Sequence, residues 1–186
     1  MNRREAVQYI SLLLGGTIAG SSYFLAGCKS NTGVSMVFTP DDVSYLDEIA
    51  DTILPTTSTP GAKAAKVGQF MTVMVNDCYD DADQKIFHEG MNKLNDLSKK
   101  TYDASFMKLN EQQRHDLLVN LDKEQKEYMK NKKIEEPSHY FRMMKELTLL
   151  GYFTSEIGCT KARRYVETPG RFDGCIPYKK GDKAFA

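Results

Sequence analysis

Between Thr39 and Gly158 the apolar side chains recur at helical spacing in five successive stretches. A chain patterned this way buries its apolar stripes by packing helix on helix. The first stretch opens on Thr39-Pro40-Asp41-Asp42, which supplies a cap, a proline at the first helical position and acids in the first turn. Val43, Leu46, Ile49, Ala50 and Ile53 follow, and Pro55 ends the helix. A second helix is expected from about Ala64 to Tyr79 and a third from about Ala82 to Lys99. Gly90 interrupts the third at a cost of about 1 kcal/mol relative to Ala, which suits the close approach of another helix. Asn110 and Gln113 form a weaker capping box for the fourth, which carries Leu117, Leu118, Leu121 and Tyr128. The polar run Lys126 to Lys133 reads as a solvated helix end and loop. The fifth begins near Pro137 or Ser138 and stops at Gly158. Tyr140, Phe141, Met144, Leu147, Leu150 and Phe153 make it apolar on several faces, so it is either the central core helix or one that also meets a second protein.

The expectation is an all-α fold: one compact helical domain over 39–186, of about five helices, with an extended irregular tail from about residue 160. The tail sequence Thr168-Pro169-Gly170-Arg171-Phe172-Asp173-Gly174-Cys175-Ile176-Pro177-Tyr178 interleaves turn residues with aromatic ones. It wraps either its own helices or a partner. Between the first two helices, Leu54 to Ala62 holds two prolines and a glycine, so its shape is restricted. Pro55, Pro60 and Gly61 mark it as a candidate partner-facing loop, with an exposed helix connection as the plain alternative.

The first 27 residues read as a cleaved export signal, to be set aside from fold reasoning. Arg3 and Arg4 precede an uncharged stretch, Ala6 to Gly27, with many small residues. Such a stretch makes a poor membrane span, which needs about 20 predominantly apolar residues. The paired arginines resemble a twin-arginine export signal, with ordinary export as the alternative. Leu25-Ala26-Gly27-Cys28 matches a bacterial lipoprotein processing box, which leaves Cys28 acylated at the mature terminus and residues 28–38 as a flexible tether.

Twenty-five basic and twenty-five acidic side chains leave the chain neutral. That balance implies neither a nucleic-acid footprint nor a polybasic membrane patch. With Cys28 acylated, Cys78, Cys159 and Cys175 remain in a compartment where disulfides persist. Cys159 with Cys175 would tie the tail to the preceding helix, and a loop of about 15 residues so closed is worth roughly 3 kcal/mol. Cys78 with Cys159 is the competing pair, and the odd thiol could be a core residue.

Chemistry is sparse in the sequence. His88, His115 and His139 fall in separate segments, without metal or haem spacing. The acid clusters lack the calcium-loop pattern, and no dinucleotide fingerprint or serine elbow occurs. No catalytic, cofactor-binding or metal residue is therefore assigned, although a hydrolase or oxidase site hidden from motif reading stays open.

Three segments carry a family resemblance: Ile53 to Ala62, Leu147 to Glu156, and Tyr165 to Gly170 with its Arg-Phe continuation. Together with the signal they resemble the small subunit of gluconate 2-dehydrogenase, subunit 3, over essentially the whole chain. The resemblance implies a non-catalytic accessory subunit that binds a large FAD-dependent, GMC-type oxidoreductase and assists its maturation and export. FAD would lie in that partner, which oxidises a sugar or polyol and passes electrons to a cytochrome or another acceptor. It also implies the periplasmic side of a bacterial membrane, here with a lipid anchor at Cys28 where the family commonly uses a cytochrome subunit. Arg171, Phe172, Ile176, Tyr178 and Phe185 are then candidate partner anchors beside the Pro55 to Gly61 loop, being of the aromatic and arginine type that dominates interfaces. An independent periplasmic lipoprotein serving as a binding or scaffold module is the alternative.

Overall fold

The computed structural model describes residues 37–168, 170–172 and 174–185. Arg3, Arg4, the signal, Cys28 and nearly all of the tether lie outside the described residues. Within them the protein is all-α, with five helices: α1 Pro40–Ile53, α2 Val67–Cys78, α3 Asp81–Tyr102, α4 Glu111–Asn131 and α5 Tyr140–Thr154. A 3-10 turn, Phe106–Lys108, joins α3 to α4, and a π-helical turn, Gly158–Ala162, follows α5.

Local chemistry accounts for most of the boundaries. The Thr39 hydroxyl accepts from Asp42 N at 3.2 Å while the Asp42 carboxylate accepts from Thr39 N at 2.8 Å, so both partners of the α1 capping box are satisfied. Asn110 and Gln113 do the same for α4. Asp80 caps α3 through Asp83 N at 2.8 Å. The second helix starts later than its periodicity suggests, at Val67. Residues 62–66 instead form turns that end on Lys66 in the left-handed region, φ 54°. That turn delivers Gly68 against α1, where a Cβ would stand 2.6 Å from Val43 O. Asp47 on α1 then accepts from Gly68 N at 2.7 Å, serving the α2 terminus as a cap from another helix. Two further boundaries move outward. Helix α3 runs on to Tyr102, and α4 runs through the lysine-rich stretch to Asn131.

Helix α5 is the hub of the fold, packing on each of the other four helices. Phe141, Met143, Met144, Leu147 and Tyr152 are buried along it among Leu46, Ile49, Val67, Met71, Phe87, Leu94 and Leu121. Leu149 and Leu150 stay exposed, so one side of this apolar helix is left to solvent. The approach foreseen at Gly90 is made by α5: a Cβ there would sit 2.4 Å from Tyr140 Cβ. Polar ties fasten the same helices. Asp122 on α4 accepts from Lys145 on α5 at 2.6 Å and from Lys126 at 2.7 Å. Burial would raise the Asp122 carboxyl, but these ammonium groups and Gln125 outweigh it and pull it down to about 2. No helix among the described residues is long and apolar enough to cross a membrane.

Candidate functional site

The loop between α1 and α2 is held from three directions. Its ends are joined by Ala62 N donating to Leu54 O at 2.9 Å, and Gly61 N donates to the Thr56 hydroxyl at 3.0 Å. From the far end of the chain, Tyr152 Oη donates to Pro60 O at 2.6 Å. Gly61 has no room for a side chain, since a Cβ would stand 2.6 Å from Thr56 N and 2.8 Å from Leu54 O. The three loop residues singled out from the sequence therefore divide by role. Pro55 is exposed and available for contact, Pro60 is half-buried, and Gly61 is buried beneath the loop, shaping it from inside.

Beside Pro55 and Thr56 lies a cleft of about 390 Å³ whose other wall is the first turn of α4, with Glu111, Arg114 and His115. Glu48 and Arg114, which line it, belong to an ion cluster. Glu48 on α1 takes both Lys63, just after the loop, and Arg114 on α4. Arg114 also donates to Phe106 O at 3.2 Å and Met107 O at 2.8 Å, with its guanidinium 5.6 Å from the centre of the Phe106 ring. One side chain thus fixes α4, the 3-10 turn and α1 together. Burial would raise the Glu48 carboxyl, but Lys63 and Arg114 overcome it and hold the group below its ordinary value. Lys63 is raised, chiefly by its hydrogen bond to Glu48. All three charged groups are engaged with one another, so the cluster acts as a brace. Among the described residues no group of three or more His, Cys, Asp and Glu is placed to hold a metal ion.

The tail differs from the loop. Arg163 lies over the Phe153 ring at 4.5 Å, Arg164 N donates to Ala184 O at 2.8 Å, and the Arg164 guanidinium stacks on Phe185 at 4.0 Å. Lys183 reaches back to Lys161 O. The segment thus closes on its own start and on the end of α5. Its candidate anchors remain outward: Phe172 is 97% exposed and Tyr178 74%, with Ile176, Phe185 and Arg171 also exposed. Cys159 carries a free thiol that donates to Phe153 O at 3.3 Å, and neither pairing considered for it is formed.

Tyr152, Glu48 and Arg114 were not singled out by sequence reasoning. The Glu48–Arg114 partners stand 66 positions apart and Tyr152–Pro60 stand 92 apart, on segments whose own patterns say only that they are helical or turn-rich. A Tyr in an otherwise aliphatic and Phe-rich helix face was the one signal, because a buried phenol must find an acceptor.

Searches of curated proteins and of solved structures each found no match. A profile of the gluconate 2-dehydrogenase subunit 3 family matches residues 40–170, from the first residue of α1 through the whole helical body and into the tail. The braced loop, the hub helix α5 and the start of the tail all fall inside that span, and the chain belongs to the gluconate 2-dehydrogenase subunit 3 family.

Proposed function

We propose that this chain is a non-catalytic accessory subunit of an FAD-dependent sugar or polyol dehydrogenase of the gluconate type, and that it assists maturation and export of the flavoprotein. The family match over residues 40–170 carries this reading. The outer rim of the 54–62 loop, with Pro55 and Thr56 exposed, is the proposed docking face for the large GMC-type flavoprotein. What supports that choice is rigidity. A loop fixed by Tyr152, Gly61 and Leu54 loses little conformational freedom on binding, and preorganisation of this kind raises affinity. FAD would be held by the partner, with a cytochrome or another acceptor taking its electrons. Arg3 and Arg4 would direct export, and acylated Cys28 would hold the complex at the periplasmic side of the membrane.

The test is co-expression of the flavoprotein dehydrogenase with and without this chain, followed by assay of FAD-loaded dehydrogenase in the periplasm. The reading expects periplasmic sugar oxidation only when the chain is present. Equal export and activity without it would overturn the maturation role.

A further inference from the structure

Overall neutrality conceals a strong segregation of charge. Residues 37–159, the helical body, carry fifteen basic and twenty-one acidic side chains, whereas residues 160–186 carry seven basic and three acidic. The tail is therefore a cationic segment attached to an anionic body. Its lysines Lys179 and Lys180 are exposed on the same irregular stretch as Tyr178 and Ile176, while Phe172 is almost wholly in solvent.

We propose that the tail is a peripheral contact for an anionic lipid surface, with Lys179 and Lys180 among the headgroup phosphates and Phe172 and Tyr178 at the headgroup level. Basic side chains near an anionic bilayer contribute about 1 kcal/mol each, and aromatic rings favour the membrane–water interface. Two features favour a lipid surface over an acidic protein face. The exposed rings are dispersed along a turn-rich segment, which suits a deformable, laterally uniform surface better than a fixed pocket. The excess acid of the helical body is repelled by the same surface, so the molecule is oriented with the tail inward and the body outward. The closure of the tail by Arg164 N on Ala184 O and by the Arg164–Phe185 stack keeps the segment folded back on the π-helical turn.

The experiment uses the mature chain from residue 28 carrying Cys28→Ser, so that neither the signal nor a thiol-linked lipid contributes, and measures its partition onto vesicles. One set is pure phosphatidylcholine and the other contains about one-third phosphatidylglycerol. Preference for the anionic vesicles of roughly 10-fold or more is expected, together with its loss near 1 M salt, where the Debye length falls to about 3 Å. The double variant Lys179→Gln/Lys180→Gln should weaken anionic binding by roughly 10- to 30-fold with an unchanged thermal melt, because both side chains are exposed and the core lies elsewhere. Equal partition onto both vesicle types would overturn the proposal, as would a double variant that binds anionic vesicles like the parent. Failure of the parent to bind anionic vesicles, with the same two lysines weakening association with the flavoprotein, would overturn it in favour of an acidic protein face. The vesicle readouts concern this chain alone on lipid, so they stand or fall separately from the export assay.

Discussion

Tyr152, near the end of the central helix, donates its hydroxyl to the carbonyl of Pro60 at 2.6 Å and so fixes the loop between α1 and α2 from the opposite end of the chain. The phenol ring is itself buried, at 4% exposure, so the core and the loop share one side chain. Tyr152→Phe keeps the ring and removes the bond. The expected cost is about 1 kcal/mol in urea unfolding, with faster amide hydrogen exchange over 56–61 and weaker association with the proposed flavoprotein partner. Unchanged exchange in the loop would show that Tyr152 does not restrain it.

Gly90→Ala separates helix propensity from packing. Alanine in a helix interior normally gains about 1 kcal/mol over glycine, yet here its methyl would meet the Tyr140 side chain at 2.4 Å. Overpacking of this kind costs about 1–3 kcal/mol, so a lower midpoint of unfolding is expected. A higher midpoint would mean that α3 and α5 part at little cost.

The Glu48–Arg114 brace lends itself to a double-mutant cycle with Glu48→Gln and Arg114→Met. Both side chains are largely buried, at 18% and 15% exposure, so coupling of about 1–3 kcal/mol is expected. Additive single effects would place the brace with ordinary surface pairs, which are worth little.

Much of this architecture is legible in the sequence, and the limits are physical. Capping residues act within four positions of themselves, so Thr39 with Asp42 and Asn110 with Gln113 mark helix starts that the structure keeps. The late start of α2 was hidden because Ala64 and Ala65 are good helix formers. The turn through Lys66 is set by what Gly68 and Asp47 gain across helices. The candidate site was half legible. Pro55 to Gly61 announced a constrained loop, but the residues that constrain it arrive from α4 and α5, and a sequence pattern holds no record of partners that distant.

His139 gives the fold a pH dependence of definite sign. Its Nδ1 accepts from Phe141 N at 3.2 Å at the start of α5, which requires the neutral ring, and its ring stacks on Tyr140 at 4.5 Å. Burial lowers its pKa below the ordinary histidine value, although Glu124 pulls the other way. With the folded value depressed, the contribution is fully present above the unfolded value of about 6.5 and is lost as pH falls toward the folded one. The urea midpoint should drop between about pH 7 and pH 5 by more in the wild type than in His139→Asn, which can still cap. Parallel pH profiles for the two proteins would contradict this.

Association with a flavoprotein dehydrogenase is the central element of the proposed function. Its most direct measurement is light scattering with simultaneous flavin absorbance on the full chain purified after co-expression with the large dehydrogenase. A single peak containing both polypeptides in fixed stoichiometry, bright in flavin absorbance and split by Pro55→Glu on the exposed loop rim, is the predicted result. A chain that elutes alone and flavin-free, beside a dehydrogenase fully active without it, would contradict the account.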